Sequence, residues 1–152
     1  VTPDDMLLRE KLMRASLEAG LAFSNASLGA VHAMAHSLGG MLDLPHGECN
    51  AILLDHVMAF NFSTAPERYQ KIGEMMGLDL QGMPLKQKQQ AILGEIRRLK
   101  KTAGISKTLG ERGASPSDVP QLAKKALQDP CLVTNPVRPS QRDIEVIYED
   151  AL

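Results

Sequence analysis

The sequence predicts an all-α protein, a bundle of about six or seven helices in one domain that covers residues 1–152. Apolar residues recur at helical spacing from one end of the chain to the other, and strand-like alternation never extends beyond a few residues. Aromatic residues make up only 3% and tryptophan is absent, so a core must be built from aliphatic side chains and eight methionines. Such side chains favour closely packed helices over a sheet.

The first two helices are predicted from end signals and periodicity. Thr2 has the character of an N-cap, and proline next to it starts a helix that we expect from Pro3 to Phe23, with one apolar face. A second helix, rich in alanine and glycine, carries His32 and His36, and its small residues allow close packing against neighbours. This helix must end before Pro45, which cannot continue it.

Five further helices are expected, and the first of them is apolar around most of its circumference, so it should be central. The segment from Lys107 to Ser117 is glycine-rich and is predicted to be irregular. The predicted helices run from Glu48 to Phe62, from Pro66 to Met76, from Pro84 to Ala103, from a cap at Ser117 or Asp118 through Leu127, and from Gln141 to Ala151 behind a Ser140 cap.

Composition excludes several function classes. The net charge of -1 gives no reason to expect nucleic acid or an anionic membrane as a partner, and no apolar run spans a bilayer. The two cysteines, Cys49 and Cys131, lie far apart without a CxxC pattern, which favours free thiols in a reducing cytoplasm. The chain contains no glycine-rich nucleotide motif, so nucleotide binding by this chain alone is not predicted.

Three of the four histidines lie in one stretch and predict metal chemistry. His32 and His36 are four residues apart, so a helix presents both imidazoles on one face, and His46 follows after a turn. Imidazole is the commonest protein ligand for borderline divalent metals. Spacing alone pairs His32 with His36, although histidine-rich helix faces also arise where the rings only form hydrogen bonds. His56, among apolar residues, is expected to be a buried structural histidine.

Other residues near this stretch have plain structural interpretations. Asp43 can simply end a helix, and Glu48 suits the dipole at a helix start, although either carboxylate could ligate a metal. Cys49 could be a thiolate ligand, but a small buried thiol is the default. The basic run from Arg97 to Lys101 invites phosphate binding, yet its place on an amphipathic helix beside Glu95 favours a solvated face.

The segment SNASLGAVHAMAHSLGGMLDLPHGECNAILLDHVMAFN, residues 24–61, resembles the signature of the iron-containing, group III alcohol dehydrogenases. That family has the approximate pattern G-x-x-H-x-x-x-H-P-x-G, a short turn, and P-H-G-x-x-N-A-x-L-L-P-x-V. Further matches extend the resemblance to Asn135 and Pro136, over nearly the whole chain. It implies part of a dehydroquinate synthase-like, all-helical C-terminal domain, which follows an NAD- or NADP-binding domain in the family.

The resemblance also assigns the histidines. It implies that His32 and His46 are metal ligands, for Fe²⁺ or alternatively Zn²⁺, and that His36 lies beside the nicotinamide and relays protons. The other two family ligands come from an upstream D-x-x-x-H helix, which this chain lacks along with the cofactor domain. Ser37 and Asp55 stand where the family usually has proline, and either could alter a helix end.

The implied reaction is the interconversion of a primary alcohol and its aldehyde by hydride transfer to or from NAD(P), with the metal as a Lewis acid. We expect the 152-residue chain alone to be inactive, because half the ligands and the nicotinamide pocket are missing. An alternative is a non-catalytic helical domain that acts in assembly. A third hypothesis is a metal-binding module completed by a neighbouring chain. The surface that normally faces the missing helices would be an exposed apolar patch, and such a patch predicts a homo-oligomer.

Overall fold

A computed structural model describes residues 3–152, and across these residues the chain has seven α-helices, three short 3-10 turns and no strand. The all-α prediction is therefore confirmed, and the predicted helix ends agree within about one turn. Thr2, the predicted first cap, lies outside the described residues. The helices are α1 (Met6–Ala26), α2 (Ala30–Leu42), α3 (His46–Asn61), α4 (Pro66–Met75), α5 (Leu85–Thr102), α6 (Val119–Ala126) and α7 (Gln141–Ala151), and the 3-10 turns are Phe62–Thr64, Gly110–Arg112 and Pro130–Thr134.

Helices α2 and α3 form an antiparallel pair at the centre of the fold, which we call the histidine hairpin (residues 30–61). Helix α6 packs on α2, and α7 packs on both α3 and α6, whereas α5 packs on α3 and α4 from another side. The main core between α2, α3, α6 and α7 includes the fully buried side chains of Met34, Leu38, Leu53, Leu122, Ile144 and Tyr148. A second core, beside the end of α3, contains Met58, Phe62, Leu80, Ile92, Leu93 and Ile96.

The turn of the histidine hairpin follows from the conformations of Asp43, Pro45 and His46. Asp43 ends α2 in the left-handed conformation, with φ 53° and ψ 38°, a region that aspartate tolerates better than most residues. Pro45 is then the N-cap of α3, and His46 is its first residue. Helix α3 thus begins two positions before the predicted Glu48. The early start matters because it places His46 at the turn, next to α2.

Helix α1 differs from the prediction in position and surroundings. Its cap is Asp5, whose Oδ1 accepts from the backbone N–H groups of Leu7 and Leu8, both at 3.1 Å, so the helix begins at Met6 instead of Pro3. No residue of α1 is buried, and its apolar side chains face solvent. No helix among residues 3–152, α1 included, is long and apolar enough to cross a membrane.

Ser37 does not end a helix, because α2 continues past it to Leu42. Its buried hydroxyl donates to the carbonyl of Leu122 at 2.8 Å and so ties α2 to α6. Nearby, the Tyr148 hydroxyl of α7 donates to the carbonyl of Met34 at 2.8 Å. Two hydrogen bonds thus hold the helix that carries His32 and His36 against its neighbours.

Asp55 likewise lies within an unbroken helix. It is 2% exposed, and its carboxylate binds Arg97 Nε at 2.7 Å and the ammonium of Lys100. The prediction that the basic run is a solvated face is therefore wrong for Lys100, whose side chain is mostly buried. It holds for Arg98, which pairs with Glu95 in solvent. The difference arises because α5 turns one side of the run toward α3.

A pair of asparagines fixes the start of the histidine hairpin. Asn135 and Asn61 exchange amide hydrogen bonds, each at 2.9 Å, and Asn135 Oδ1 also accepts from the backbone N–H of Ala30 at 3.1 Å. A Cβ at Gly29 would lie 3.1 Å from that same oxygen, so glycine allows the close approach. The first residue of α2, the last of α3 and the segment after the Pro130–Thr134 turn therefore meet at one point.

Candidate metal centre

The three histidines of the hairpin form one cluster. The ring centroids of His32 and His46 lie 5.3 Å apart, those of His36 and His46 lie 5.2 Å apart, and those of His32 and His36 lie 6.0 Å apart. The rings of His36 and His46 are nearly parallel, at 22°, whereas the ring of His32 is inclined to both. The structure therefore brings together all three histidines that the sequence singled out.

The cluster follows from the local fold. His32 and His36 are one turn apart on α2, so their side chains project from the same face. The left-handed residue Asp43 and the proline cap then reverse the chain, and His46 starts α3 directly opposite that face. Fourteen positions of sequence separate His32 from His46, but the hairpin closes that separation.

The surroundings of His32 favour its neutral form. Burial lowers the pKa of its imidazole below the ordinary value, and the neighbouring His46 and His36 lower it further, while the carboxylate of Asp129 opposes them. A lowered pKa keeps the ring neutral at physiological pH, and a metal-binding imidazole must be neutral. The cluster therefore offers His32 as a nitrogen donor without the loss of a proton.

His46 is held by the residue one turn later on its helix. The side-chain nitrogen of Asn50 lies 3.0 Å from His46 Nε2 and also donates to the backbone carbonyl of His46 at 3.0 Å. Within the described residues, Asn50 Oδ1 is buried and has no hydrogen-bond partner. Sequence reasoning did not assign Asn50 a role, although its place one turn after His46 was a signal that could have identified it.

His36 has a carboxylate partner that sequence reasoning missed. Its Nδ1 lies 2.8 Å from Oδ2 of Asp129, a residue 93 positions away. The side chain of His36 is 40% exposed and that of Asp129 is 15% exposed, so the carboxylate is the more buried partner of the pair. The ligand atoms of His36, Asp129 and Cys131 lie within 4.8 Å of one another. Local sequence patterns do not predict this contact, because it depends on how the Pro130–Thr134 turn, which Asp129 caps, packs on α2.

The remaining candidates have structural roles. Cys49 is fully buried in the main core, where burial raises the pKa of its thiol. It is therefore a small buried thiol, as expected from the sequence. Glu48, in the first turn of α3, forms an ion pair with Arg112. Asp43 ends α2. His56 is half-buried instead of fully buried, in a shallow pocket beside Lys100.

An open cavity of ≈ 500 Å³ adjoins His32. Its wall is mostly apolar and is built from the start of α2, the first half of α3 and the segment after the Pro130–Thr134 turn. Asn50, with its unpartnered oxygen, lies in this wall. The residues that also line it include Leu28, Val31, Ala51, Leu54, Asn61 and Pro136.

A family model described as "Fe-containing alcohol dehydrogenase family, C-terminal" matches residues 2–152. Among characterised relatives, a 1,3-propanediol dehydrogenase from Klebsiella pneumoniae is 41% identical over 143 residues, which are 94% of this chain and 37% of that protein. A lactaldehyde reductase from Escherichia coli K12 is 39% identical over 142 residues, 93% of this chain and 37% of that protein. An NAD-dependent methanol dehydrogenase from Bacillus methanolicus is 35% identical over 149 residues, 98% of this chain and 39% of that protein.

Solved structures agree with these matches. The crystal structure of a 1,3-propanediol oxidoreductase superimposes with a TM-score of 0.94 at 39% identity, and it covers 98% of this chain and 39% of that one. An alcohol dehydrogenase from Oenococcus oeni superimposes with a TM-score of 0.96 at 34% identity, covering 100% of this chain and 40% of that one. The chain thus spans less than half the length of the relatives it matches.

Proposed function

This chain belongs to the Fe-containing alcohol dehydrogenase family, and on that premise we propose that His32 and His46 are two of the ligands of a divalent metal ion. The observation that carries the proposal is the convergence of the histidine rings at the hairpin turn, where the centroids of His32 and His46 lie 5.3 Å apart, and the family resemblance selects these two as the ligands. Two imidazoles that converge from opposite helices can share one cation. His36, the third ring of the cluster, contributes a proton-transfer group instead of a ligand.

The donors that are present fit Fe²⁺ or Zn²⁺. Both are borderline ions that accept imidazole nitrogen, and His32 is held in the neutral form that ligation requires. Two nitrogens do not complete a four-coordinate site. The remaining ligands are expected from a D-x-x-x-H helix of the kind that precedes this segment in the family. Asn50, whose buried Oδ1 has no hydrogen-bond partner among the described residues, lines the cavity beside His32, and we expect further groups to approach from that side.

The proposed reaction of the whole enzyme is hydride transfer between a small primary alcohol and NAD or NADP. The names of three relatives refer to propanediol, lactaldehyde and methanol, and one of them refers to NAD. When bound, the metal supplies Lewis-acid polarisation of the alcohol oxygen. His36 takes the hydroxyl proton and, as it is partly exposed, passes that proton to solvent.

Residues 1–152 are proposed to form a single helical, metal-binding domain, with the nicotinamide site in a separate N-terminal domain. The basis is that the family model is the C-terminal one and the relatives are more than twice as long as the match. The isolated chain is then expected to have no dehydrogenase activity, because two of the four expected ligands and the nicotinamide pocket would lie in the N-terminal part of the whole enzyme. The cytoplasmic location expected from the sequence stays a prediction.

A second candidate function is assembly, and helix α1 favours it. Along its 21 residues none is buried, and large apolar side chains such as Met6, Leu12 and Met13 are more than 70% exposed. A continuous exposed apolar surface of this kind is a site for protein association. We therefore propose that the chain purified alone forms a homo-oligomer through α1. Light scattering would detect it, and a monomer at all concentrations would contradict it.

The ligand assignment is tested by metal content. In a full-length dehydrogenase that carries these residues, His32→Ala and His46→Ala should each lower bound iron or zinc by about tenfold or more. His56→Ala is the matched control, because this fourth histidine lies on α3 outside the cluster and should leave metal content unchanged. Unchanged metal content in both His32→Ala and His46→Ala would show that the assignment is wrong.

A further inference from the structure

The carboxylate of Asp129 makes two bonds that fix its position and its direction. Oδ1 accepts from the backbone N–H of Cys131 at 2.8 Å and thereby caps the Pro130–Thr134 turn. Oδ2 lies 2.8 Å from Nδ1 of His36. Because the first bond anchors the carboxylate at the start of the turn, its second oxygen presents a fixed acceptor to the imidazole.

The protonation state of Asp129 decides which nitrogen of His36 carries hydrogen. Burial acts to raise the pKa of this carboxyl, but hydrogen bonds from the Cys131 amide and from His36 outweigh it, so the net pKa lies below the ordinary value. At neutral pH the group is therefore a carboxylate and can only accept hydrogen bonds. A nitrogen 2.8 Å from such an oxygen must be the donor.

We propose that Asp129 is a positioning residue that holds His36 in the Nδ1–H tautomer and in one ring orientation, leaving Nε2 as the nitrogen that accepts and releases a proton. The catalytic use of Nε2 rests on the proposed function, whereas the tautomer itself does not. In alcohol oxidation by the whole enzyme, NAD(P)⁺ would accept the hydride, and Nε2 of His36 would accept the hydroxyl proton. The carboxylate stabilises the resulting imidazolium, and Nε2 then returns the proton to water.

Asp129 could instead act only as the cap of the 3-10 turn, and the substitution Asp129→Asn distinguishes this role from the positioning role. Asp129→Asn keeps the volume of the side chain and retains an oxygen that can accept from the Cys131 amide. Its new amide group, however, is a donor toward His36. If Asp129 sets the tautomer, this substitution must make Nδ1 the acceptor and move the hydrogen to Nε2. If Asp129 is only a cap, the substitution leaves the tautomer as it was.

The experiment is a long-range ¹H–¹⁵N NMR spectrum of the histidine rings in the ¹⁵N-labelled 152-residue chain at neutral pH, without added metal or cofactor. His36→Gln identifies the resonances of His36. Asp118→Asn is the matched control, because Asp118 also accepts from a backbone N–H, that of Ser115, but contacts no histidine.

In the unsubstituted chain, Nδ1 of His36 should have the shift of a protonated nitrogen and Nε2 that of an unprotonated one. In Asp129→Asn the two should exchange, and in Asp118→Asn they should not. An Nε2–H tautomer in the unsubstituted chain, or no change in Asp129→Asn, would overturn the proposal. Because no metal is present, either result leaves the assignment of His32 and His46 to be judged by experiments that measure metal binding.

Discussion

The histidine hairpin and α1 have similar helical character and opposite surroundings. Met34 of α2 is 0% exposed, whereas Met13 of α1 is 73% exposed. The alanines at 30, 33 and 35 let neighbouring helices approach α2 closely, and α6 and α7 both do so through hydrogen bonds to its Ser37 and Met34. Helix α1 has comparable apolar side chains but no helix packed over them among the described residues. The spacing of apolar residues therefore predicts a helix, but whether that helix is buried depends on which other helices pack over it.

Because of this difference, substitutions in the two regions should have different consequences. The hairpin holds the candidate site and the core of the fold, so changes there should alter the free energy of unfolding. Changes in α1 should instead alter association or local helix content. We therefore expect the effects of substitution on stability to fall from the buried side chains of the hairpin to the exposed ones of α1.

Truncating a buried leucine of the hairpin should have the largest effect. Leu53→Ala removes a 0% exposed side chain from the main core, and we expect a loss of about 3 kcal/mol in the free energy of unfolding. Leu12→Ala in α1, where the side chain is 72% exposed, should change it by less than about 0.5 kcal/mol. Urea unfolding measures both. Equal losses would show that α1 is packed as tightly as the hairpin.

The buried carboxylate of α3 should come next. Asp55→Ala leaves the mostly buried ammonium of Lys100 without its partner, so we expect a loss of about 2 kcal/mol in the free energy of unfolding. Glu95→Ala, which breaks the solvent-exposed pair with Arg98, is the control and should have almost no effect. If both substitutions lower the free energy of unfolding equally, the buried ion pair stabilises the fold no more than the exposed pair does.

The same carboxylate should make stability depend on pH. Burial acts to raise the pKa of Asp55, but hydrogen bonds from Lys100 and Arg97 lower it below the ordinary value. Its stabilising contribution is therefore complete above the unfolded-state pKa of about 3.9 and is lost as the pH falls through the lower folded-state value. Between pH 5 and pH 2, roughly, the unsubstituted chain should lose stability more steeply than Asp55→Asn. Identical slopes would contradict this.

The cap of α1 should have the smallest effect. Asp5→Ala removes the acceptor for two backbone N–H groups and weakens the start of the helix by about 1 kcal/mol. Because α1 buries nothing, we expect faster amide exchange in its first turn and an unchanged urea midpoint. Asp5→Asn, which retains a capping oxygen, should restore the protection. A lower urea midpoint in Asp5→Ala would mean that α1 unfolds together with the core.

Much of the fold was predictable because its signals are local. Prolines and caps set most helix ends, and the predicted C-terminal helix, Gln141 to Ala151 behind Ser140, agrees with α7 residue for residue, since the capping box of Ser140 and Asp143 is a short-range feature. The predicted start of α1 was wrong because four consecutive polar or proline residues, 2–5, offered several caps, and Asp5 is the one used.

The site was predictable only in part. The hairpin turn explains why His46 returns to α2, but spacing alone pairs His32 with His36. Ring separations of 5.2 to 6.0 Å do not rank the three pairs, so the choice of His32 and His46 as ligands comes from the family resemblance. Asp129 could not be predicted, because its contact with His36 joins residues 93 apart through helix packing.

The most direct test of the metal proposal is a Zn²⁺ titration of the ¹⁵N-labelled chain, followed through the histidine ring resonances. The rings of His32 and His46 should shift together with one midpoint, His56 should not respond, and His46→Ala should abolish the response of His32. Independent midpoints for His32 and His46 would contradict the proposal that the two share one metal ion. A response that His32 and His36 share and that survives in His46→Ala would contradict it as well.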